Sequence, residues 1–200
     1  MLVHVPGCDR PYVPGDRVDW SAPVVFGVPE LLSPQECTAL RARIDELGPA
    51  PAPITTSAGF VMRPDIRNNT RVIFDDRALA ADLFARLTGA VPERLFGRAP
   101  CGVNERFRCY VYDPGQRFAP HYDGSFRRNE QEESELTFLV YLNDDLRGGH
   151  TAFLDFDVSI APKTGAALLF QHRVLHEGCV IESGRKYVLR SDVMYADPAP

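Results

Sequence analysis

The sequence predicts a mainly β protein with flanking helices, whose core is an antiparallel sandwich or jelly roll. Short apolar segments recur at roughly ten-residue spacing in the second half, separated by Gly, Pro and Asp, as in strands joined by turns. The first half contains two stretches of helical periodicity between proline-rich breaks. With 200 residues and 44% hydrophobic content, the chain suits one buried core. We therefore expect a single domain over 1–200, with an arm and supporting helices in 1–102 and the β core in 103–195.

Two helices are predicted before the β core. Ser33 and Glu36 form a capping-box pattern around Pro34, and Gly48 is placed to end this first helix. The side chains expected on its buried face are Leu40, Ile44 and Leu47. Asp75 or Asp76 is expected to cap the second helix. Its expected buried side chains are Leu79, Leu83, Phe84 and Leu87.

The remaining first half is expected to be mostly irregular. Residues 1–30 contain five of the 17 prolines, and a single short strand is expected there, around 24–26. Residues 49–69 are expected to lack regular structure, and 72–74 to form a short strand.

The strands of the β core follow from apolar runs and alternation. Residues 103–112 alternate, 136–142 are apolar on both faces, and three further strands are expected at 151–154, 166–170 and 187–195. In the first of these strands the expected core-facing side chains are Val103, Phe107, Cys109 and Val111.

Composition excludes several classes of protein. A net charge of -5 opposes a protein that binds nucleic-acid phosphates or anionic membranes over a broad surface. Five cysteines without a Cys-x-x-Cys pair favour reduced thiols over a disulfide framework or zinc site. The chain start does not resemble a signal peptide, and no apolar run approaches a membrane span. We expect a soluble, cytoplasmic protein without a membrane partner, and the sequence specifies no oligomeric state.

The strongest chemical signal is a set of candidate metal ligands. In an extended strand His121 and Asp123 project from the same face, so both can bind one ion, although two solvated groups in a surface turn are the alternative. His176 is the best third ligand and would complete a 2-His-1-carboxylate facial triad, which holds Fe(II) and leaves three positions open. His172 and His150 compete for this role. We assign His172 to an ordinary hydrogen-bonded polar group and assign no partner to His150.

Several motifs in the second half occur in an order that is informative. They are Tyr112-x8-His121-x-Asp123, Thr137-x3-Tyr141-Leu142-Asn143, Gly148-Gly149-x-Thr151-x-Phe153, Pro162-x-x-Gly165, His176-Glu177-Gly178 and Gly184-x-Lys186-Tyr187. The run resembles the prolyl 4-hydroxylase-like branch of the Fe(II)/2-oxoglutarate-dependent dioxygenases. The resemblance covers about residues 103–195 and implies a double-stranded β-helix, the cupin-like form of the jelly roll. One departure is His150, where many relatives have Glu.

The resemblance also implies roles for particular residues. It makes His121, Asp123 and His176 the iron ligands. It makes Lys186 the cation that pairs with the distal carboxylate of 2-oxoglutarate, and it makes Tyr112 and Thr137 hydroxyl partners of that cosubstrate.

Neighbouring strand residues face opposite ways, so only one of Arg185 and Lys186 can reach the pocket. The motif order Gly-x-Lys-Tyr favours Lys186 as this cation. Arg190 then faces the same way as Lys186, and is expected either to contact the cosubstrate or substrate or to pair with Asp192.

The activity implied is hydroxylation of an unactivated C–H bond by Fe(II), 2-oxoglutarate and O2, with ascorbate as a further possible requirement and with release of succinate and CO2. The expected substrate is an amino acid, a prolyl peptide or a small metabolite. Substrate-binding candidates are Arg190, Arg106, Arg71 and Asn68, and surface ion pairing is the alternative for the arginines.

The rival functions are oxidative demethylation of alkylated nucleic acid, which the net charge opposes, and a cupin-like binding module without turnover. The charged segment 127–135 is either a solvated hairpin loop or a mobile lid.

Overall fold

A computed structural model describes residues 1–8, 10–56 and 59–198 and shows two antiparallel sheets facing each other, with two helices outside the larger one. In chain order the elements are β1 (Leu2–Val5), β2 (Val25–Val28), α1 (Pro34–Leu47), β3 (Ala50–Pro51), β4 (Ile54–Thr56), β5 (Gly59–Val61), β6 (Thr70–Asp75), α2 (Arg77–Leu87), β7 (Ala99–Val103), β8 (Arg106–Tyr112), β9 (Phe118–His121), β10 (Glu132–Tyr141), β11 (Arg147–Gly148), β12 (Thr151–Phe153), β13 (Val158–Ile160), β14 (Ala167–Gln171), β15 (His176–Gly178), β16 (Ile181–Ser183) and β17 (Lys186–Ala196).

The large sheet has nine strands and the small sheet four. The large sheet runs β1-β2-β14-β10-β17-β8-β6-β3, with β7 paired to β17, and the small sheet runs β13-β12-β15-β9. Two short ribbons, β11-β16 and β4-β5, complete the described strands. Strands that are distant in sequence lie side by side, so the long central strand β17 touches both β8 and β10. Residues from three parts of the chain are thereby brought to one face.

The two helices begin and end where their capping residues predict. The Ser33 hydroxyl accepts from the Glu36 amide at 3.2 Å while the Glu36 carboxylate accepts from the Ser33 amide at 2.7 Å, and Gly48 ends α1 with φ 71°. Asp76, one of the two predicted caps, accepts from the Leu79 amide and starts α2.

The predicted buried faces of the helices are correct except at one position. Ile44, Leu83 and Leu87 are fully buried, and Leu40, Leu79 and Phe84 pack partly buried against them. Leu47 was predicted to be buried and is 49% exposed. It is the last residue of α1, and the packed part of the stripe ends one turn earlier.

The large sheet separates a hydrophobic core from the cavity between the sheets. On its outer face Phe107, Leu189 and Tyr195 pack with the helices, and each such buried side chain contributes roughly 1.5–3 kcal/mol. On its inner face Tyr110 and Arg190 line the cavity. A second hydrophobic cluster, which includes Phe153, Phe170 and Val188, packs on the inner side.

Several predicted segments differ in detail. Residues 1–30 form two strands, β1 and β2, instead of one, and 49–69 contain β3, β4 and β5. These strands have two to four residues, too few to show a period in the sequence. Residues 103–112 are divided between β7 and β8, because Asn104 leaves the ladder: its amide donates to the Asp192 carbonyl, and its side-chain oxygen accepts from the Arg106 amide.

The charged segment 127–135 leads into β10 and is joined by ion pairs. Arg127 pairs with Glu133 at 2.8 Å and Arg128 with Glu132 at 2.5 Å. These contacts support the hairpin-loop interpretation.

Neither described helix has the length and hydropathy needed to cross a membrane.

Candidate metal centre and cosubstrate pocket

The three predicted ligands meet where the small sheet faces the large one. His121 ends β9 and is paired in register with His176, which begins β15, so their ring centroids are 4.2 Å apart. Asp123 was expected on the same strand as His121, but it lies just past the strand end, where its amide donates to the His172 carbonyl. One ligand atom from each of His121, Asp123 and His176 lies within 4.8 Å of the others.

Both imidazoles are oriented for metal binding by their backbone contacts. The Nδ1 atoms of His121 and His176 lie 2.8 and 3.0 Å from the carbonyl oxygens of Ala119 and Val174, so each Nδ1 carries the hydrogen and donates it. Each Nε2 then presents a lone pair toward Asp123, at 3.8 and 3.7 Å from its oxygens. Burial, and next the neighbouring His176, lower the pKa of His121 to about 4, which keeps this ring neutral. Two imidazole Nε2 atoms and one carboxylate form a donor set that fits Fe(II) with open coordination positions.

The carboxylate of Asp123 is held ionised by its neighbours. Burial by itself raises the pKa of this carboxyl, but the charge of Arg190 is the largest influence in the opposite direction, and the pKa lies far below its usual range. Arg190 Nη2 lies 3.3 Å from Asp123 Oδ2, and the Thr137 hydroxyl is 2.6 Å from the same oxygen. The other carboxylate oxygen of Asp123, Oδ1, faces His121 Nε2 at 3.8 Å.

Thr137 is linked through His172 to a hydrogen-bond chain with a defined direction. Thr137 donates its single hydrogen to the Asp123 carboxylate, so His172 Nδ1 must donate to Thr137, at 2.9 Å. His172 Nε2 then accepts from the Ser134 hydroxyl at 2.8 Å, and this hydroxyl accepts in turn from the Phe126 amide. His172 is thus the hydrogen-bonded polar group that was expected, and its hydrogen bond to Thr137 fixes which way the Thr137 hydroxyl points.

The second functional group in the cavity is Lys186, the first residue of β17. Its side chain is 4% exposed, its Nζ donates to the Gly149 carbonyl at 2.5 Å, and the Tyr112 and Tyr141 rings flank it at 5.6 and 5.2 Å. No carboxylate of a described residue lies within ion-pair distance of it. Burial lowers its pKa to about 8. A buried ammonium without a counter-ion is suited to receive an anion.

Arg185 and Lys186 face opposite ways, as the alternation predicted. Arg185 is exposed and pairs with Asp113 at 2.7 Å. Tyr112, opposite Lys186 in the β8–β17 ladder, lines the cavity as predicted. The cavity has a volume of about 50 Å³.

Thr137 does not lie where the sequence argument placed it. Thr137 is opposite Asp192 on β17, six residues and roughly 20 Å along the strand from Lys186. Its hydroxyl serves Asp123 and is too far away to serve a carboxylate bound at Lys186.

Thr151 and Tyr141 are the hydroxyl groups that sequence reasoning missed. The two oxygens are 2.8 Å apart beside Lys186, and Thr151 lines the cavity. Both residues belong to the quoted motifs Tyr141-Leu142-Asn143 and Gly148-Gly149-x-Thr151-x-Phe153, so the signal was present.

The four candidate substrate residues have different environments. Arg190 is buried and pairs with Asp192 at 3.0 Å, one of its two predicted roles, as well as with Asp123. Arg106 is an exposed partner of Asp75 and is not among the residues lining the cavity, which favours the surface ion pair that was its alternative. The Asn68 side-chain oxygen accepts from the Arg117 amide. Arg71 is half-buried and stands opposite Tyr110, a cavity-lining residue.

We expect Thr137→Val to weaken metal binding roughly 10- to 100-fold, the usual cost of removing a group that orients a metal ligand. Thr137→Ser keeps the hydroxyl and should restore affinity. Anaerobic Fe(II) titration, with Mn(II) as a redox-inert check, measures the change. Thr164→Val is a matched control, since Thr164 donates to the surface carboxylate of Asp144. Equal affinity in Thr137→Val and Thr137→Ser would contradict this role.

Comparison with known proteins gives one family and a consistent set of relatives. A family model described as the 2OG-Fe(II) oxygenase superfamily matches residues 107–191. Prolyl 4-hydroxylase 1 of Arabidopsis thaliana is 25% identical over 195 residues, covering 85% of this chain and 68% of that protein. A putative prolyl 4-hydroxylase of Acanthamoeba polyphaga mimivirus is 30% identical over 95 residues, covering 38% and 39%.

Solved structures show the same fold. The viral collagen prolyl hydroxylase of Paramecium Bursaria Chlorella virus-1, in a 2OG complex, aligns with a TM-score of 0.61 at 21% identity, covering 86% of this chain and 96% of that one. A Pseudomonas putida prolyl-4-hydroxylase aligns with a TM-score of 0.60 at 21% identity, covering 88% and 93%. The predicted double-stranded β-helix core is thereby confirmed.

Proposed function

We infer that this chain, a member of the 2OG-Fe(II) oxygenase superfamily in its prolyl hydroxylase-like branch, uses the centre formed by His121, Asp123 and His176 to hydroxylate an unactivated C–H bond. The cofactors of this reaction are Fe(II), 2-oxoglutarate and O2, and its by-products are succinate and CO2. Fe(II), when bound, supplies the oxidising chemistry that couples decarboxylation of 2-oxoglutarate to hydroxylation.

One observation supports the assignment of roles: a donor set of two histidines and one carboxylate shares a cavity with a buried lysine that has no counter-ion among the described residues. His121 and His176 hold the metal through Nε2, and Asp123 holds it through Oδ1. Lys186 binds the distal carboxylate of 2-oxoglutarate. This contact replaces the water that the burial of Lys186 excludes, so the ammonium gains more from the anion than an exposed lysine would.

Hydroxyl groups around Lys186 complete the cosubstrate site in this proposal. Tyr112 lies across the ladder from Lys186, and Thr151 lies beside it. Both can donate to a carboxylate bound at Lys186. Burial raises the pKa of the Tyr112 hydroxyl, so it remains a donor at neutral pH. Arg190 and Thr137 serve the metal side of the cavity by keeping Asp123 ionised and oriented.

The substrate is a peptide or a small molecule, and we propose a prolyl peptide, a free amino acid or a small metabolite. The names of the relatives support the first. The five unpaired thiols support a reducing compartment such as the cytoplasm, and ascorbate remains a proposed additional requirement.

Succinate formation across a substrate panel tests this function. The panel contains free amino acids, proline-containing peptides and methylated nucleotides, assayed with Fe(II) and 2-oxoglutarate, with and without ascorbate. We expect peptides or amino acids to stimulate turnover above the substrate-free rate. Stimulation by methylated nucleotides alone would favour the nucleic-acid demethylase. Absence of both succinate and the visible band of an anaerobic Fe(II)·2-oxoglutarate complex would favour the non-catalytic binding module.

A further inference from the structure

Arg67 is a buried cation without an anionic partner. Its residue is 5% exposed, its Nε donates to Asn69 at 2.8 Å, and its Nη2 is buried without a hydrogen-bond partner. No carboxylate of a described residue lies within ion-pair distance of it. An arginine cannot relieve this situation by losing its proton, and leaving a buried donor unpaired is unfavourable. A ligand that brings an acceptor would satisfy it.

Arg67 lies directly behind two side chains that line the cavity containing the metal centre, Tyr110 and Phe118. Its guanidinium lies between the rings of Tyr110, on the large sheet, and Phe118, on the small sheet, at 4.3 and 4.5 Å from their centroids. Both rings line the cavity. The Phe118 ring is stacked on His121 at 3.6 Å, so one aromatic ring separates the Arg67 charge from a metal ligand. The segment is held there by the Ile66 carbonyl, which accepts from the Ala119 amide at 2.8 Å.

A second arginine adds to the positive charge on this side of the cavity. Arg71 stands opposite Tyr110 in the β6–β8 ladder, and none of the described carboxylates pairs with it. Burial, and then the charges of Arg67 and Arg108, lower the pKa of Arg71. Arg108 has only a 3.5 Å contact with Asp192, a carboxylate that Arg190 also uses at 3.0 Å. The cations on this side of the cavity therefore repel one another with too few anions to balance them.

This charge is separate from the proposed cosubstrate site. Lys186 pairs in register with Tyr112, whereas Arg71 pairs with Tyr110, two residues along β8 and on the opposite side of it. Lys186 is thus the cation for the cosubstrate, and Arg67 and Arg71 form a separate pair of cations that the cosubstrate assignment does not use.

We propose that Arg67 and Arg71 bind a carboxylate of the substrate and so select substrates that carry this group near the carbon to be hydroxylated. The inference rests on the proposed function, since it assigns the substrate class of the same site. A planar guanidinium matches a carboxylate with two parallel hydrogen bonds, and Nη2 of Arg67 is free to make one. A free amino acid supplies this carboxylate directly, and a peptide supplies it at its C-terminal residue.

The first test compares each acid with its own amide. Succinate formation and product hydroxylation are measured for L-proline and other free amino acids against their carboxamides, and for short proline-ending peptides with free and amidated C-termini. In the wild-type protein we expect the acid of a stimulating pair to have a KM lower by roughly 10- to 100-fold. Free amino acids and peptides form separate arms, which identify the source of the carboxylate.

Variants distinguish a binding role from a structural one. Arg67→Met and Arg71→Met should raise the KM of the acid and leave that of the amide and of 2-oxoglutarate unchanged. Arg106→Ala is the control, because that arginine is exposed and pairs with Asp75. A purely structural Arg67 would change acid and amide by the same factor, which would overturn the proposal. A raised KM for 2-oxoglutarate instead would also overturn it, by making Arg67 part of the cosubstrate site.

A binding measurement keeps the proposal testable if no panel member is the substrate. Propionate and propionamide serve as minimal probes on the protein loaded with Mn(II) and 2-oxoglutarate, at constant ionic strength. Propionate should raise the melting temperature of the wild type and of Arg106→Ala more than propionamide does, and this difference should disappear in Arg67→Met and Arg71→Met. Equal shifts in all four proteins would overturn the inference. The proposed function would fail separately, through absence of succinate formed from 2-oxoglutarate.

Discussion

His176→Ala abolishes 2-oxoglutarate turnover and metal binding while leaving the folded structure in place; this is the largest effect we expect. Its Nε2 is one of two nitrogen donors, and the remaining His121 and Asp123 cannot hold Fe(II) on three adjacent positions. The fold should persist, because the larger hydrophobic cluster lies on the other side of the large sheet, although the His176 ring also packs against Phe153 and Phe170 of the inner cluster. Succinate formation, anaerobic metal titration and circular dichroism together measure the result.

The other two ligands should behave in the same way, with one difference. Asp123→Ala also leaves Thr137 and one contact of the buried Arg190 unpaired, so we expect it to lower stability more than His176→Ala or His121→Ala. The matched control is His150→Ala, since His150 is not part of the ligand cluster. Activity retained in His176→Ala, or lost in His150→Ala with the fold intact, would show that the ligand assignment is wrong.

Lys186→Ala should raise the requirement for 2-oxoglutarate by roughly 10- to 100-fold, the equivalent of a charge-assisted hydrogen bond worth about 1.5–3 kcal/mol. The buried ammonium is the only described cation flanked by Tyr112 and Tyr141. Arg185→Ala is the neighbouring control and should have little effect, because its side chain pairs with Asp113 at the surface. The KM for 2-oxoglutarate and anaerobic titration of the visible band measure the difference. Equal effects from the two variants would contradict the facing assigned to these residues.

The same lysine gives a pH dependence with a definite sign. Burial lowers the pKa of Lys186 to about 8 in the protein without cosubstrate, and only the protonated form attracts a carboxylate. Affinity for 2-oxoglutarate should therefore be full below pH 8 and fall as the pH rises above it. Bound 2-oxoglutarate stabilises the ammonium and raises its pKa. Lys186→Arg, whose guanidinium stays charged, should remove this fall even if it binds more weakly.

Features that depend on neighbouring residues could be read from the sequence. The Ser33–Glu36 capping box and the cap at Asp76 are contacts across a few residues, and the structure forms both. The opposite facing of Arg185 and Lys186 follows from strand geometry. His121, Asp123 and His176 were grouped by motif spacing, and the β9–β15 pairing brings them together. Each of these features follows either from spacing between nearby residues or from the order of motifs in one family.

Features that depend on register between distant strands could not be assigned in this way. Thr137 and Thr151 both lie in motifs, but only the β10–β17 register shows that Thr137 serves Asp123 while Thr151 lies beside Lys186. Arg106 was a predicted substrate contact and Arg67 had no predicted role, and their environments also depend on distant strands. Arg106 finds Asp75 across an exposed ladder, whereas Arg67 is carried between two sheets by a segment without periodicity.

The sequence by itself determined the helices with their caps, the class of fold, the metal-binding residue types and the inward lysine, because each is specified by local spacing or by motif order. The tertiary structure alone decided which hydroxyl supports the metal ligand and which supports the lysine. It also decided which arginine is neutralised at the surface and which stays buried without an anion. The physical reason is that burial and charge pairing depend on residues far apart in the chain, and strand register brings these together.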